Sequence, residues 1–239
     1  MCADFHGDVK AVHLVINYLK DHAVDLEDTT IIVCGDAGLM CGDFVTSSVK
    51  KLMNKCGATW IILRGNHDKR YAKYAVEHFG QGWSTTNWSK GPVYYQNKYP
   101  HILYTADEGY IYQIEGQPCL FIPGAWSIDG QYRIENNLPY EWDEQLSYTE
   151  MNFLLEKILA CNNIKYVFSH DCPLSYQKEL TDLFLPFRVK ADKSMNKFMD
   201  SVKENIEFDK WYFGHYHGTR VMSDNKGELI WQCPQEIYF

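Results

Sequence analysis

The stretch TIIVCGDAGLMCGDFVTSSVKKLMNKCGATWIILRGNHD, residues 30–68, decides the fold. Thr30 to Cys34 and Thr59 to Leu63 are short apolar runs of the length and composition of buried strands. Phe44 to Lys55, between them, has the periodicity of a helix. Strand, helix and strand in that order make a βαβ unit with parallel strands, whose loops gather at the carboxyl ends of the strands. Both strands run directly into loops rich in polar chemistry, Gly35-Asp36-Ala37-Gly38 and Gly65-Asn66-His67-Asp68.

Three further motifs share this context of a strand followed by a polar loop. Asp4-Phe5-His6 opens the chain, Ser169-His170-Asp171 follows the apolar run Lys165 to Phe168, and Gly214-His215-Tyr216-His217 follows Trp211 to Phe213. Taken singly, a Gly-Asp is a turn and a lone His a solvated residue; the joint occurrence of all five points to a site. Asp4, His6, Asp36, Asn66, His170, His215 and His217 supply two carboxylates, one amide and four imidazoles. Two adjacent divalent ions need about eight donors, one of them a bridging carboxylate, with positions left open for water and substrate. A set of oxygen and imidazole donors without thiolate favours Mn, Fe, Zn or Co over a structural zinc site. Two dications, less two carboxylates and one hydroxide, leave roughly one net positive charge, which suits a phosphate oxygen and acidifies bound water. The expected nucleophile is therefore a metal-held hydroxide bridging the ions.

His67 follows Asn66 but is not needed for coordination, which casts it as a general acid to the leaving group, with Asp68 or another acid stabilising the imidazolium. Arg64, Lys69 and Arg70 flank the motif as candidate clamps for phosphate oxygens, and Asn66 joins Arg64 and Arg70 as a substrate-binding candidate. A solvated basic face is the competing reading of these cations. His13, His22, His78 and His101 lie outside the motifs and read as surface or helix residues.

In residues and order the motifs resemble the calcineurin-like metallophosphoesterase superfamily, whose pattern is D-x-H, G-D, G-N-H-[DE], H and G-H-x-H. The likeness runs from Asp4 to His217. It implies an α/β/β/α sandwich of four layers with a dinuclear metal site at the strand ends, and phosphate-ester hydrolysis by metal-activated water. It sorts the donors as well, with Asp4, His6 and His217 on one metal, Asn66, His170 and His215 on the other, and Asp36 between them. Protein Ser/Thr phosphatases of the superfamily continue the second motif as G-D-x-V-D-R-G. Here the run is Gly35-Asp36-Ala37-Gly38-Leu39-Met40-Cys41, without the phosphate-holding Arg. Bacterial and phage-type members look closer, on Gly124-Ala125-Trp126-Ser127-Ile128-Asp129 and Trp142-Asp143-Glu144. Only Met1, Cys2 and Ala3 precede Asp4, where the family normally has a full buried strand. Either that strand is short or the start lies upstream, and a short strand is expected to hold Asp4 and His6 loosely.

At 239 residues and 46% hydrophobic content the chain is expected to form a single domain over residues 1–239 with a sizeable core. A formal charge of −8 offers no basic surface for nonspecific nucleic-acid binding, so a small phosphorylated substrate is the simpler partner. No apolar stretch reaches membrane-spanning length. Eight cysteines with no C-x-x-C pair and no leader-like start place the chain in the cytoplasm, with Cys34, Cys119 and Cys161 as buried thiols and Cys172 beside the site.

Helices are expected at Val9 to Tyr18, Tyr71 to Phe79, Tyr148 to Ala160 and Ser194 to Val202, and strands at Ile102 to Thr105, Tyr110 to Ile114 and Cys119 to Ile122. The tail reads as antiparallel strands at Arg220 to Ser223, Leu229 to Gln232 and Glu236 to Tyr238, the first two joined by Asp224-Asn225-Lys226-Gly227. From Gly80 to Leu146 aromatic residues accumulate, first as sheet faces on a core. Trp126, Arg133 and Trp142, in the long connection from Gly124 to Leu146, alternatively form a substrate wall beside the metals.

The function expected is a metal-dependent phosphohydrolase acting on a phosphomonoester or phosphodiester. Protein phosphatase, nucleotide pyrophosphohydrolase and a non-catalytic metal-binding scaffold are the alternatives.

Overall fold

The computed structural model describes residues 1–39, 47–161, 163–180, 191–232 and 234–237. The first half runs α1 (Val9–Asp21), β1 (Thr30–Cys34), α2 (Ser47–Lys55), β2 (Thr59–Leu63), α3 (Tyr71–Glu77), β3 (Trp83–Trp88), β4 (Gly91–Gln96) and β5 (Ile102–Tyr104). The second runs β6 (Tyr110–Ile114), β7 (Gln117–Ile122), α4 (Gly130–Glu135), α5 (Tyr148–Ala160), β8 (Tyr166–Ser169), α6 (Leu174–Glu179), α7 (Ser194–Asn205), β9 (Lys210–Phe213), β10 (Arg220–Val221) and β11 (Gly227–Leu229).

Local chemistry sets several of these boundaries. Asp8 caps α1 by accepting from Lys10 N at 2.8 Å. Ser147 and Glu150 form a reciprocal capping box that starts α5. The start expected for α2 at Phe44 falls outside the described residues; within them the helix runs from Ser47.

The strands form two sheets, in the orders β1-β2-β5-β4-β3 and β10-β11-β9-β8-β7-β6. The pairs β1–β2, β2–β5, β7–β8, β8–β9 and β9–β11 are parallel, so the loops after β1, β2, β8 and β9 leave at strand carboxyl ends. Because side chains alternate along a strand, each sheet has two apolar faces to cover. Ile32, Cys34, Ile61 and Leu63 of the first sheet meet Phe121, Phe168 and Tyr212 of the second in a central core. The other face of the first sheet, with Val33, Trp60 and Ile62, packs on α1, α2 and α3 through Val12, Met53 and Tyr71. The other face of the second, with Leu120, Val167 and Trp211, packs on α5, α6 and α7 through Leu154, Tyr176 and Met199. The result is the four-layer α/β/β/α sandwich that the motif pattern implies.

Some expectations are corrected. The hairpin β3–β4 falls in a segment given no strands: its Thr85, Thr86 and Asn87 face solvent, so no apolar alternation marks it. Among the described residues the tail contains only β10 and β11, with Gly227 inside β11 rather than in the turn. β11 also pairs parallel with β9, and Glu236 and Ile237 belong to no strand; Tyr238 lies outside the described residues. The short start is not loosely held. Cys2 N donates to Ile32 O at 3.0 Å, Cys34 N to Cys2 O at 2.8 Å and Ala3 N to Trp231 O at 3.1 Å, with Cys2 and Ala3 fully buried.

Asp224 pins the turn that brings β11 beside β9. It accepts from Lys226 N at 2.9 Å, Gly227 N at 3.1 Å and the Tyr176 hydroxyl at 2.7 Å, with Lys203 Nζ at 3.1 Å. Burial alone would raise its pKa, but these donors outweigh it and hold the carboxyl down at about 2. A carboxylate held below its ordinary 3.8 stabilises the fold above that pH and loses the contribution as pH falls through 2. Asp224→Asn is expected to cost about 1 kcal/mol at neutral pH. In urea unfolding, its gap from the native chain should stay constant down to about pH 4 and then narrow; a gap independent of pH would contradict this account.

Candidate metal centre

The five motif loops come together at the strand ends, spanning both sheets. Asp36 follows β1 and Asn66 follows β2 in the first sheet, while His170 follows β8 and His215 and His217 follow β9 in the second. Asp4 and His6 reach the same place from the N-terminal segment, with Asp4 N bonded to Gly35 O at 3.1 Å and His6 N to Asp36 O at 2.8 Å.

Two groups of donors have their ligand atoms within 4.8 Å of one another, Asp4 with His6 and His217, and Asp4 with Asp36 and His170. His6 Nε2 and His217 Nε2 are 3.0 Å apart, and His217 Nε2 lies 4.0 Å from Asp4 Oδ1. Asp36 Oδ2 sits 3.4 Å from His170 Nε2 and 3.9 Å from His6 Nε2, between the two sides of the cluster. Asn66 Oδ1 lies 2.8 Å from His170 Nε2. The His215 ring stands 5.0 Å from the His170 ring, and its backbone N–H donates to both Asp4 oxygens at 3.0 and 3.2 Å. All seven sequence candidates are thus gathered in one place.

Backbone conformation is part of this convergence. Asp4, His6, Asp36, His215 and His217 all have positive φ, between 47° and 71°. L residues enter that left-handed region at a cost, and Asp and His are among the types that tolerate it. Glycines remove the remaining obstacle. A Cβ at Gly35 would lie 2.0 Å from His170 Nδ1, and one at Gly65 would lie 2.0 Å from Asp36 Oδ1. In both places the loops approach more closely than any side chain permits.

The electrostatics ask for positive charge. Burial pushes the Asp4 carboxyl up to about 8, although His170 pulls the other way. Asp36 is also penalised by burial, yet His170, His67 and His6 hold it below the ordinary range. Burial opposes a charge on His170, but Asp36 and Asp4 outweigh it and lift the imidazole to about 9. Burial instead lowers His6 and His215, each to about 4, and lowers His217 too, which leaves these rings as neutral nitrogen donors. Buried carboxylates beside neutral imidazoles fit divalent cations well, because the ions satisfy the charge and the nitrogens complete the coordination.

The tautomers and rotamers of these donors have their own supports. His170 Nδ1 is 2.9 Å from Cys34 O, which leaves Nε2 facing the cluster. Trp231 stacks on His217 at 6.1 Å and 11°, and Gln232 Nε2 donates to Asp4 O at 3.2 Å. Asn66 Nδ2 donates to Ser127 Oγ at 2.7 Å, and Ser127 in turn meets Glu144. The sequence reading singled out none of Trp231, Gln232 and Ser127 for a role, since their neighbours in the chain carry no motif; only the resemblance of Gly124 to Asp129 marked that segment.

Other candidates take different places. His67 is half-buried beside the cluster, 5.7 Å ring to ring from His6, and its backbone N–H donates to Asp36 Oδ1 at 3.0 Å. Burial lowers its imidazole pKa; Asp36 and Asp129 oppose this, and Arg133 adds to it. Asp68 does not serve His67. Its carboxylate is fully buried and accepts from Gly65 N at 3.0 Å, which braces the loop; the acid acting on His67 from outside the donor set is Asp129.

Arg64 and Arg70 are likewise corrected as phosphate clamps. Arg64 is 1% exposed and donates to Glu144 O at 2.7 Å. Arg70 pairs with Glu150 at 2.5 Å and Asp143 at 3.0 Å, its charge already matched. Cys172 is buried among the α6 and α7 side chains in the second sheet's core and does not line the site, while Cys161 is half-buried at the end of α5. Trp126, Tyr140 and Trp142 line a cleft of about 410 Å³ with Arg70 and Asp192. Trp142, at 79% exposed, is no core residue.

Acidic and imidazole donors gathered at the strand ends of an α/β/β/α sandwich form a set fit to hold divalent cations. Residues 1–219 match the calcineurin-like phosphoesterases, and the chain belongs to that family of metal-dependent phosphoester hydrolases, whose members typically use two metal ions. The crystal structure of TT1561 of Thermus thermophilus shares the fold, with a TM-score of 0.53 at 11% identity over 96% of this chain and 86% of that one. A second solved structure gives a TM-score of 0.54 at 9% identity, over 96% of this chain and 87% of its own. At these identities the likeness is one of fold alone. No match is found among curated proteins.

Gly35→Ala is expected to destabilise the chain by roughly 2 kcal/mol or more, because the methyl meets the His170 ring and the backbone keeps a positive φ. Denaturant unfolding of the variant measures this, and an unchanged midpoint would show that the loops have room to spare.

Proposed function

We propose that this chain hydrolyses a small phosphomonoester or phosphodiester, with Asp4, His6, Asp36, Asn66, His170, His215 and His217 holding two divalent ions, Mn, Fe or Zn by the donor chemistry. The observation that carries the reading is the convergence of two buried carboxylates, Asn66 and four imidazoles at the strand ends of both sheets. Bound there, the ions supply the charge that activates water and draws in a phosphate oxygen.

Asp36, 3.4 Å from His170 Nε2 and 3.9 Å from His6 Nε2, would be the carboxylate shared by the two ions. Its second oxygen accepts from His67 N, which ties the position of His67 to the carboxylate at the centre. His67 then holds a proton for the leaving oxygen. Burial works against that proton, while Asp129 and an incoming phosphate dianion both favour it.

The wall of the site is supplied by the segment from Gly124 to Leu146, in which Arg133 is held to Asp129 at 2.7 Å. A substrate of modest size is consistent with a net charge of −8, and protein Ser/Thr phosphatase activity is disfavoured by Gly38 to Cys41 in place of the arginine-bearing run. A scaffold that has lost catalysis would be expected to lack His67 or several of the donors, and this chain keeps all of them. Among the described residues no helix is long and apolar enough to cross a membrane. Free thiols at Cys2, Cys34, Cys56, Cys119, Cys161 and Cys172 support a reducing compartment, the cytoplasm.

Hydrolysis of p-nitrophenyl phosphate and its bis ester with added Mn tests the reaction. Turnover of one ester is expected, and Asp36→Asn should abolish it; a normal rate in that variant would end the assignment. His67→Ala is expected to lower kcat by about 10²-fold while the metal content holds. An unchanged rate on a poor leaving group would remove His67 from the acid role.

A further inference from the structure

An asparagine ligand carries a weakness that aspartate and histidine lack. Its amide can turn over with almost no change of shape, exchanging the oxygen that binds a cation for an NH2 that cannot. Resting on the reading that Asn66 holds a metal, we propose that Ser127 and Glu144 are a positioning pair that locks Asn66 with its oxygen toward the metal centre.

The geometry is a directed relay. Asn66 Nδ2 donates to Ser127 Oγ at 2.7 Å while Oδ1 faces His170 Nε2 at 2.8 Å. Ser127 is gripped twice by one carboxylate, through its backbone N–H to Glu144 Oε1 at 2.8 Å and its hydroxyl to Oε2 at 2.5 Å. Tyr140 adds its hydroxyl to Oε1 at 3.4 Å. A serine hydroxyl has a single proton, and here it points to Glu144 Oε2. Burial raises the Glu144 carboxyl to about 7 against the donors on it, so the proton is committed to Glu144 where the carboxyl is ionised, above that pH. What Ser127 offers Asn66 is therefore a lone pair, which only the amide NH2 can meet. Asn66, Ser127 and Glu144 are 2%, 1% and 3% exposed, so water does not offer an alternative partner.

Glu144 is fixed in turn. Its backbone oxygen accepts from Arg64 Nη1 at 2.7 Å, and Arg64 O accepts from Gly124 N at 2.8 Å. Arg64, buried at 1% exposure, thus anchors Glu144. The two ends of the connection from Gly124 to Leu146 are clamped together and onto the loop after β2.

Glu144→Gln tests the direction of the relay with little change of shape. If the glutamine NH2 faces Ser127 Oγ, the serine proton turns to Asn66 and the asparagine presents its own NH2 to the centre. If it faces Ser127 N–H, two donors oppose each other. Ser127→Ala deletes the relay, and Ser127→Thr keeps the hydroxyl.

The experiment is calorimetric titration of the chelator-stripped full chain with Mn, alongside its melting temperature with and without Mn. The native chain is expected to bind two ions. Glu144→Gln and Ser127→Ala should each weaken one of the two sites by about 10- to 100-fold and reduce the rise in Tm on Mn addition, and Ser127→Thr should restore both. A purely structural role would lower the Tm of the stripped protein and leave the Mn isotherm as in the native chain, which would overturn the proposal. Asp36→Asn separates the two readings. If it loses Mn while Glu144→Gln and Ser127→Ala keep it, only the positioning pair is wrong; if it too keeps both ions, the dinuclear centre itself is wrong. Should Ser127→Ala not fold, Glu144→Gln read against Ser127→Thr decides the matter.

Discussion

The candidate metal centre depends on glycine backbone lying against neighbouring donor side chains, where no side chain of its own would fit. Gly35 lies against the His170 ring and Gly65 against the Asp36 carboxylate, each with no room for a Cβ. This contact lets donors from separate strands point at one small volume. It also explains why residues with short polar or imidazole side chains sit in the left-handed backbone region at Asp4, His6, Asp36, His215 and His217. Such conformations are unfavourable in isolation, and they persist where surrounding bonds determine them. Here the bonds are those of His6 N to Asp36 O, Asp4 N to Gly35 O and His215 N to Asp4.

The sandwich provides the rigid base for this arrangement. Because the donors come from both sheets, their spacing is only as fixed as the packing of Ile32, Leu63, Phe121 and Phe168 between the sheets. Cations shared by Asp36 and His170 would therefore fasten the two sheets together at one edge, adding a polar staple to an apolar core. The Gly124 to Leu146 connection closes the same edge from outside, held by Arg64 on Glu144 O and by Arg70 on Asp143 and Gln145 O.

What was legible in the sequence follows from what each residue type can do alone. The strands Thr30–Cys34 and Thr59–Leu63 are buried and apolar, and the structure starts and stops them where the sequence does. The donors were legible because His and Asp directly after such strands have few other reasons to recur five times. The strands β3 and β4 were hidden because only part of each touches the core, so exposed Thr85 and Thr86 look like loop. The roles of Arg64 and Arg70 were misread for a related reason: charge next to a motif is visible in sequence, but the partners that occupy it, Glu144 O and Glu150, lie 80 positions away. Asp68 shows the same limit within four residues, since its carboxylate turns back to Gly65 N instead of toward His67.

The contacts that complete the centre join the two extremes of the chain. Asp4 meets His215 across 211 positions and Gln232 across 228, and Met1 meets Gln235 across 234. Closing loops of that length is entropically costly and slow, so such contacts form late. During synthesis, Asp4 and His6 leave the ribosome long before His215, His217 and Trp231 exist, since His6 and His217 are 211 positions apart. A nascent chain can build the β1–α2–β2 unit early, but it has no means of assembling the full donor set until its last strands emerge. The candidate donor set is thus complete only after synthesis has passed His217, and no earlier fragment of the chain offers all seven donors.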